Sequence, residues 1–171
     1  FPAFHGTSDD LVLETCVNGK KNVTDIVHAV APGDQIHITI RSPGGALAER
    51  NPILIAQQWS DAAPRPPANV PSIHLGPGAI VVYDGRPYGR TLSEPYSIDF
   101  RVPEQLRGTN LRFQVIAFAP DAINKMFAAT DAHDLVVRGL AGLEEEFDTP
   151  APVPVALAAL PVLFIPSLRA E

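Results

Sequence analysis

The sequence predicts an all-β fold: an antiparallel sandwich of about seven or eight strands, followed by an extended C-terminal tail. Three observations predict it. Short apolar runs recur along the chain with an alternation of period two, which puts one face of each run in a core. The runs are separated by turn residues, and 18 prolines and 12 glycines in 171 residues leave little room for long helices. No helical pattern recurs between the strands to build the crossovers of a parallel sheet. We place the sandwich domain at 1–143, and an acidic linker with a proline-rich apolar tail at 144–171.

The strands are read in chain order. Asp10 to Val17 carries Leu11 and Leu13 and reads as a strand. Asn18-Gly19 is the strongest short hairpin signal, because both residues tolerate the positive φ that a tight hairpin turn needs. Asn22 to Val30 fits helical spacing as well as strand spacing. Gln35 to Arg41 alternates cleanly, with Ile36, Ile38 and Ile40 on one face and His37 and Thr39 on the other. Asn51 to Trp59 and Ala79 to Tyr83 read as strands flanking the proline-rich loop 61–71. Tyr96 to Val102 alternates again. Leu111 to Ala119 has an apolar face and a second face that is only half polar, so part of that second face should be covered. Pro120 to Ala128 reads as one short helix with proline in its first turn. Asp134 to Leu140 closes the core. The predicted core is Ile36, Ile38, Ile40, Ile98, Phe100, Phe113, Val115 and Val136.

A net charge of −6 argues against nucleic-acid binding, which needs a basic face to displace counterions. The single cysteine, Cys16, excludes an intrachain disulfide. A start at Phe1 suggests either a cleaved leader or a sequence without its beginning, and an extracellular or cell-surface location is expected. Asn22-Val23-Thr24 matches the N-glycosylation acceptor pattern.

The stretch Thr149 to Leu168 holds no charged residue, follows Glu144-Glu145-Glu146, and has prolines at 150, 152, 154, 161 and 166. Those prolines remove helical donors, so a transmembrane span is not expected. A cleavable sorting signal, docking on its own domain and docking on a neighbouring copy are the other readings. Extended, the tail would reach roughly 60 Å at ~3.3 Å per residue. That exceeds the ~40 Å expected across the preceding domain. The candidate assembly residues are Val153, Val155, Leu157, Leu160, Val162, Leu163, Phe164, Ile165 and Leu168, each gaining about 1.5–3 kcal/mol on full burial.

For catalysis the chain offers little. The five histidines form no zinc pattern, and GxSxG is missing. Thr130-Asp131-Ala132-His133-Asp134 reads as a polar turn more readily than a metal site, and Asp9-Asp10 as a turn leading into a strand. Asp84, Glu94 and Asp99 meet only if the fold brings them together. No catalytic residue, metal or cofactor is expected, and the chain does not read as an enzyme. Trp59, Tyr83, Tyr88 and Tyr96 support a rival reading as a monomeric carbohydrate-binding or adhesion module.

The stretches GTSDDLVLETCVNG, PEQLRGTNLRFQVIAF and DAINKMFAATDAHDLVV resemble secreted bacterial surface modules of unassigned function. That resemblance implies an Ig-like or pilin-like sandwich. The apolar extension is similar to the donated strands of pilin-type subunits, although the best known donors are N-terminal. By this likeness the partners are copies of the chain itself; glycans are further candidates on the four aromatics alone.

Overall fold

The computed structural model describes residues 4–21 and 26–138. The tail residues from Val153 to Leu168 and the acceptor Asn22 lie outside the described residues. Among the described residues ten strands form in chain order: β1 (Val12–Val17), β2 (Lys20–Lys21), β3 (Val27–Val30), β4 (Gln35–Arg41), β5 (Ile53–Trp59), β6 (Ile80–Asp84), β7 (Tyr96–Arg101), β8 (Asn110–Phe118), β9 (Phe127–Ala129) and β10 (His133–Val137). There is no α-helix among the described residues, only 3-10 turns at Arg86–Tyr88 and Glu104–Leu106. The strands build two sheets. The first has the order β2-β1-β4-β7, and the second has the order β3-β10-β8-β5-β6, with β9 beside the end of β8.

One apolar core joins the sheets. Ile36, Ile38 and Ile40 of β4 are buried as their alternation predicts, with Ile98 and Phe100 of β7 beside them. Leu111, Phe113, Val115 and Ala117 of β8 belong to the same buried cluster. The Asn18-Gly19 hairpin forms as expected, both residues having positive φ. His37 and Thr39 lie on the outer face, half-buried.

Three expectations need correction. Val136 is 37% exposed, whereas Leu135 and Val137 on either side are buried. β10 begins at His133, so the odd-numbered residues face the core, and a one-residue change of phase flips every side chain. The segment after Pro120 is not helical. Asn124 Oδ1 accepts from the Met126 and Phe127 amides, Lys125 has φ of 62°, and the chain folds back to pair β9 with β8. A side chain that binds its own backbone two and three residues on competes with a helix at that point. Finally, the sheets are not purely antiparallel, because β3 pairs with β10 in parallel. The residues on the ambiguous stretch 22–30 thus form a strand from Val27 onward.

The chain ends of the strands sort into two poles. β8 runs from Asn110 to Phe118, about 27 Å at ~3.3 Å per residue. Since β10 is antiparallel to β8, its last residues lie beside Thr109 and Asn110. Arg138 donates its amide to the Val30 carbonyl there, and the chain toward the tail leaves from this pole. The turn 119–126 and the Arg86–Tyr88 turn occupy the opposite pole.

The phase of β10 is directly testable. Leu135→Ala should cost about 2–5 kcal/mol in urea unfolding, as buried truncations do. Val136→Ala should cost less than about 1 kcal/mol, as partly exposed sites do. Equal costs would contradict the observed phase.

Candidate functional site

The outer face of the second sheet divides into a covered polar half and an open apolar half. β8 and β5 supply the polar half with Arg112, Gln114, Gln57 and Trp59, and β10 adds Asp134 directly opposite Arg112. Arg112 and Asp134 are both buried and form a two-point ion pair, Nε to Oδ1 at 2.6 Å and Nη2 to Oδ2 at 2.7 Å. Arg112 Nη1 also donates to the carbonyls of Pro64 and His74. Its guanidinium lies 4.0 Å from the centre of the Phe4 ring. Gln114 donates to the carbonyls of Ser72 and Thr130 and accepts from the His74 amide, and Gln57 accepts from the Gly76 amide. Both the proline-rich loop and the N-terminal segment are therefore sewn onto this face. The N-terminal segment is also held by Gly6, whose amide donates to Asp131, and a Cβ there would overlap the Ala129 and Thr130 carbonyl oxygens. This is the cover that the half-polar second face of β8 predicts.

At the other end the same face is apolar and open. Phe118 is 54% exposed, with Phe127 across from it in β9 and the Arg86 guanidinium 5.6 Å from its ring. The adjoining turn presents Ile123 at 66% and Met126 at 68%, and Tyr88 is 74% exposed on the Arg86–Tyr88 turn. These side chains share one pole of the body, and exposed apolar side chains gathered at one end mark interaction surfaces more often than singly scattered ones do. A smaller strip, Val27 and Val136, lies on β3 and β10.

The outer face of the first sheet carries a polar row that sequence reasoning missed. Cys16, His37 and Asp99 are directly opposite one another on β1, β4 and β7. His37 Nδ1 donates to Asp99 at 2.7 Å, and its Nε2 meets the Thr39 hydroxyl at 3.2 Å. These distances match a carboxylate–imidazole–hydroxyl relay. Among the described residues the row lies on an open sheet face, where nothing excludes water and the backbone amides are committed to the ladder, so none of them supplies the preorganised donors that acyl transfer requires. Alternation placed His37 and Thr39 on one face, but Asp99 is 62 residues from His37 and no local signal joins them.

His133 points into the core. Its Nδ1 shares a 3.0 Å hydrogen bond with the Thr15 hydroxyl, and its ring stacks on His28 at 5.9 Å. Burial, with the nearby His28 adding, lowers its pKa to about 4. The other members of its cluster point elsewhere: Asp131 holds Gly6, and Asp134 holds Arg112. No group of three His, Cys, Asp or Glu side chains that could hold a metal ion occurs among the described residues.

The remaining candidates are also dispersed. Asp84 is tied to Arg86, whose hydrogen bond lowers its pKa, while Asp99 is tied to His37 and Glu94 is exposed. Asp9 accepts from the Ile123 amide. Asp10 accepts from Ser42, Gly44 and Ala46, with the Ser42 bond the leading cause of its lowered pKa. Tyr83 and Tyr96 stack on each other at 4.6 Å against the core, and burial raises the Tyr83 pKa. Trp59 belongs to the covered polar half and Tyr88 stands exposed at the far pole, so the four aromatics share no single face. No helix among the described residues is long and apolar enough to cross a membrane.

No protein-family model matches the chain, and no curated protein matches it.

Two predictions follow the buried groups. Asp134→Asn or Arg112→Met alone should cost about 3–5 kcal/mol in denaturant unfolding, by stranding a buried charge or its partners. The double variant Arg112→Met/Asp134→Leu should recover much of that loss, and no recovery would mean that the pair itself, rather than the stranded charge, carries the stability. For His133 the folded pKa, about 4, lies below the ordinary value of 6.5. The neutral ring thus stabilises the fold fully above pH 6.5, and that stability is lost as pH falls from 6.5 toward 4, by about 3 kcal/mol in all. The lowered carboxylates Asp10, Asp34 and Asp84 start from 3.8 and act below that window, and Glu104, which starts from 4.5, overlaps only its acid end. His133→Gln should flatten the pH dependence of unfolding between pH 4 and 6.5.

Proposed function

We propose that this chain is a structural subunit of an extracellular filament or pilus-like fibre, an Ig-like or pilin-like sandwich that assembles head to tail. The C-terminal tail of one copy enters the next. The observation that carries this reading is the sequence from Thr149 to Leu168, uncharged throughout and set off by Glu144, Glu145, Glu146 and Asp148. So large an apolar segment must find cover, and strand addition to a partner supplies backbone hydrogen bonds while alternate side chains fill pockets. Prolines suit such a segment at the positions that need no ladder donor. The two poles support the reading: the chain leaves toward its tail at one pole, and exposed apolar side chains gather at the other. A contact between unlike surfaces that does not close on itself propagates as an open fibre.

The alternative is a monomeric carbohydrate-binding or adhesion module whose tail packs on its own domain or serves surface sorting. The dispersal of Trp59, Tyr83, Tyr88 and Tyr96 gives it no shared sugar-binding face.

Truncation after Asp148 should leave a folded, soluble body that no longer self-associates in sedimentation velocity. Leu163→Asp or Phe164→Asp in the full chain should weaken assembly by several kcal/mol, because each buries an unpaired charge. Undiminished assembly by the truncated chain would refute the reading.

A further inference from the structure

We infer that the apolar pole formed by Phe118, Ile123, Met126 and Tyr88 is the surface that receives residues 153–168 of a neighbouring copy. This inference rests on the self-assembly reading and adds the acceptor to it. The occupant is chosen on three grounds. First, 33 residues follow Arg138, and their uncharged stretch is the largest apolar segment of the chain. Second, β10 delivers the chain at the pole opposite the patch, about 27 Å away along β8. A subunit with its donor at one end and its acceptor at the other stacks in one direction, with both ends of each contact different. Third, the charges complement. Lys125 is exposed between Ile123 and Met126, whereas Arg86 is already paired with Asp84, and Asp121 of the Lys125 turn with Arg50. The stretch that precedes the apolar run is acidic, Glu144-Glu145-Glu146 and Asp148. Docking of the run on the patch thus brings the acidic stretch toward Lys125 at its rim, which fixes register more than it adds affinity.

The patch is also built to stay presented without a partner. Asn124 and Lys125 hold the turn through side-chain and positive-φ geometry, and the Ile123 amide is fixed to Asp9. Ile123 and Met126 therefore stand out from a tied turn, and their replacement should leave the fold intact.

The test uses the full chain. Ile123→Asp/Met126→Asp should raise the concentration at which assembly begins by about thirtyfold or more, as loss of interface hot spots does. In parallel, a photo-crosslinking phenylalanine analogue is placed at position 123 and light and heavy isotope-labelled chains are mixed. Crosslinks should join position 123 to residues 153–168 in mixed light–heavy pairs. Crosslinks confined to like-labelled pairs would overturn the inference, since the tail would then lie on its own body. Assembly by Ile123→Asp/Met126→Asp at the wild-type concentration would also overturn it. If Leu163→Asp/Phe164→Asp abolishes assembly in that same case, the tail reading survives and only the acceptor is wrong. A wild-type chain that stays monomeric would overturn both.

Discussion

The two-sided burial of β8 is the constraint on which the rest depends. One face, Leu111, Phe113, Val115 and Ala117, belongs to the core between the sheets. The other carries Arg112 and Gln114, which are buried too. A charge and an amide in such a place are tolerable only when nearly every donor and acceptor is met. Asp134 meets the guanidinium from the next strand, and backbone carbonyls at Pro64, Ser72 and His74 complete the set. The long proline-rich loop is thereby turned into a cover for the sheet. The N-terminal segment joins it through Phe4 and Gly6. A buried pair of this kind is weak evidence for net stability, but it specifies which loop lies where.

That cover ends partway along the sheet. Beyond Gln114 the outward positions of β8 are Ile116 and Phe118, which have nothing polar to recruit a loop. The sheet face is left apolar there, and past the end of the strand the turn 119–126 leaves Ile123 and Met126 exposed at the same pole. The contrast between a closed polar half and an open apolar half gives the proposed assembly its direction. It also separates the surface that keeps the chain folded from the exposed apolar one.

Much of the fold was legible because its signals are local. Ile36, Ile38 and Ile40 against His37 and Thr39 state their own phase, and Asn18-Gly19 states its turn. The half-polar second face of Leu111 to Ala119 correctly implied a cover. What was missed depends on distant partners or on runs without alternation. Asp134 to Leu140 contains consecutive apolar residues, so nothing local chose between Val136 and its neighbours. The parallel β3–β10 pair joins segments more than a hundred residues apart. Pro120 suggested a helix start, but Asn124 makes the same segment a turn. The His37–Asp99 and Arg112–Asp134 pairs likewise arise only when strands meet. The proposed donor was legible as composition, whereas the apolar pole that would receive it became visible only after β8, β9 and the Arg86 turn were brought together.

The central proposal is directional growth through unlike poles. The most direct measurement is small-angle X-ray scattering of the full chain over a concentration series, with mass and cross-section followed together. Head-to-tail assembly predicts a mass that keeps rising while the cross-sectional radius stays that of one body. A mass that remains at one subunit, or that stops at a closed dimer, would contradict it.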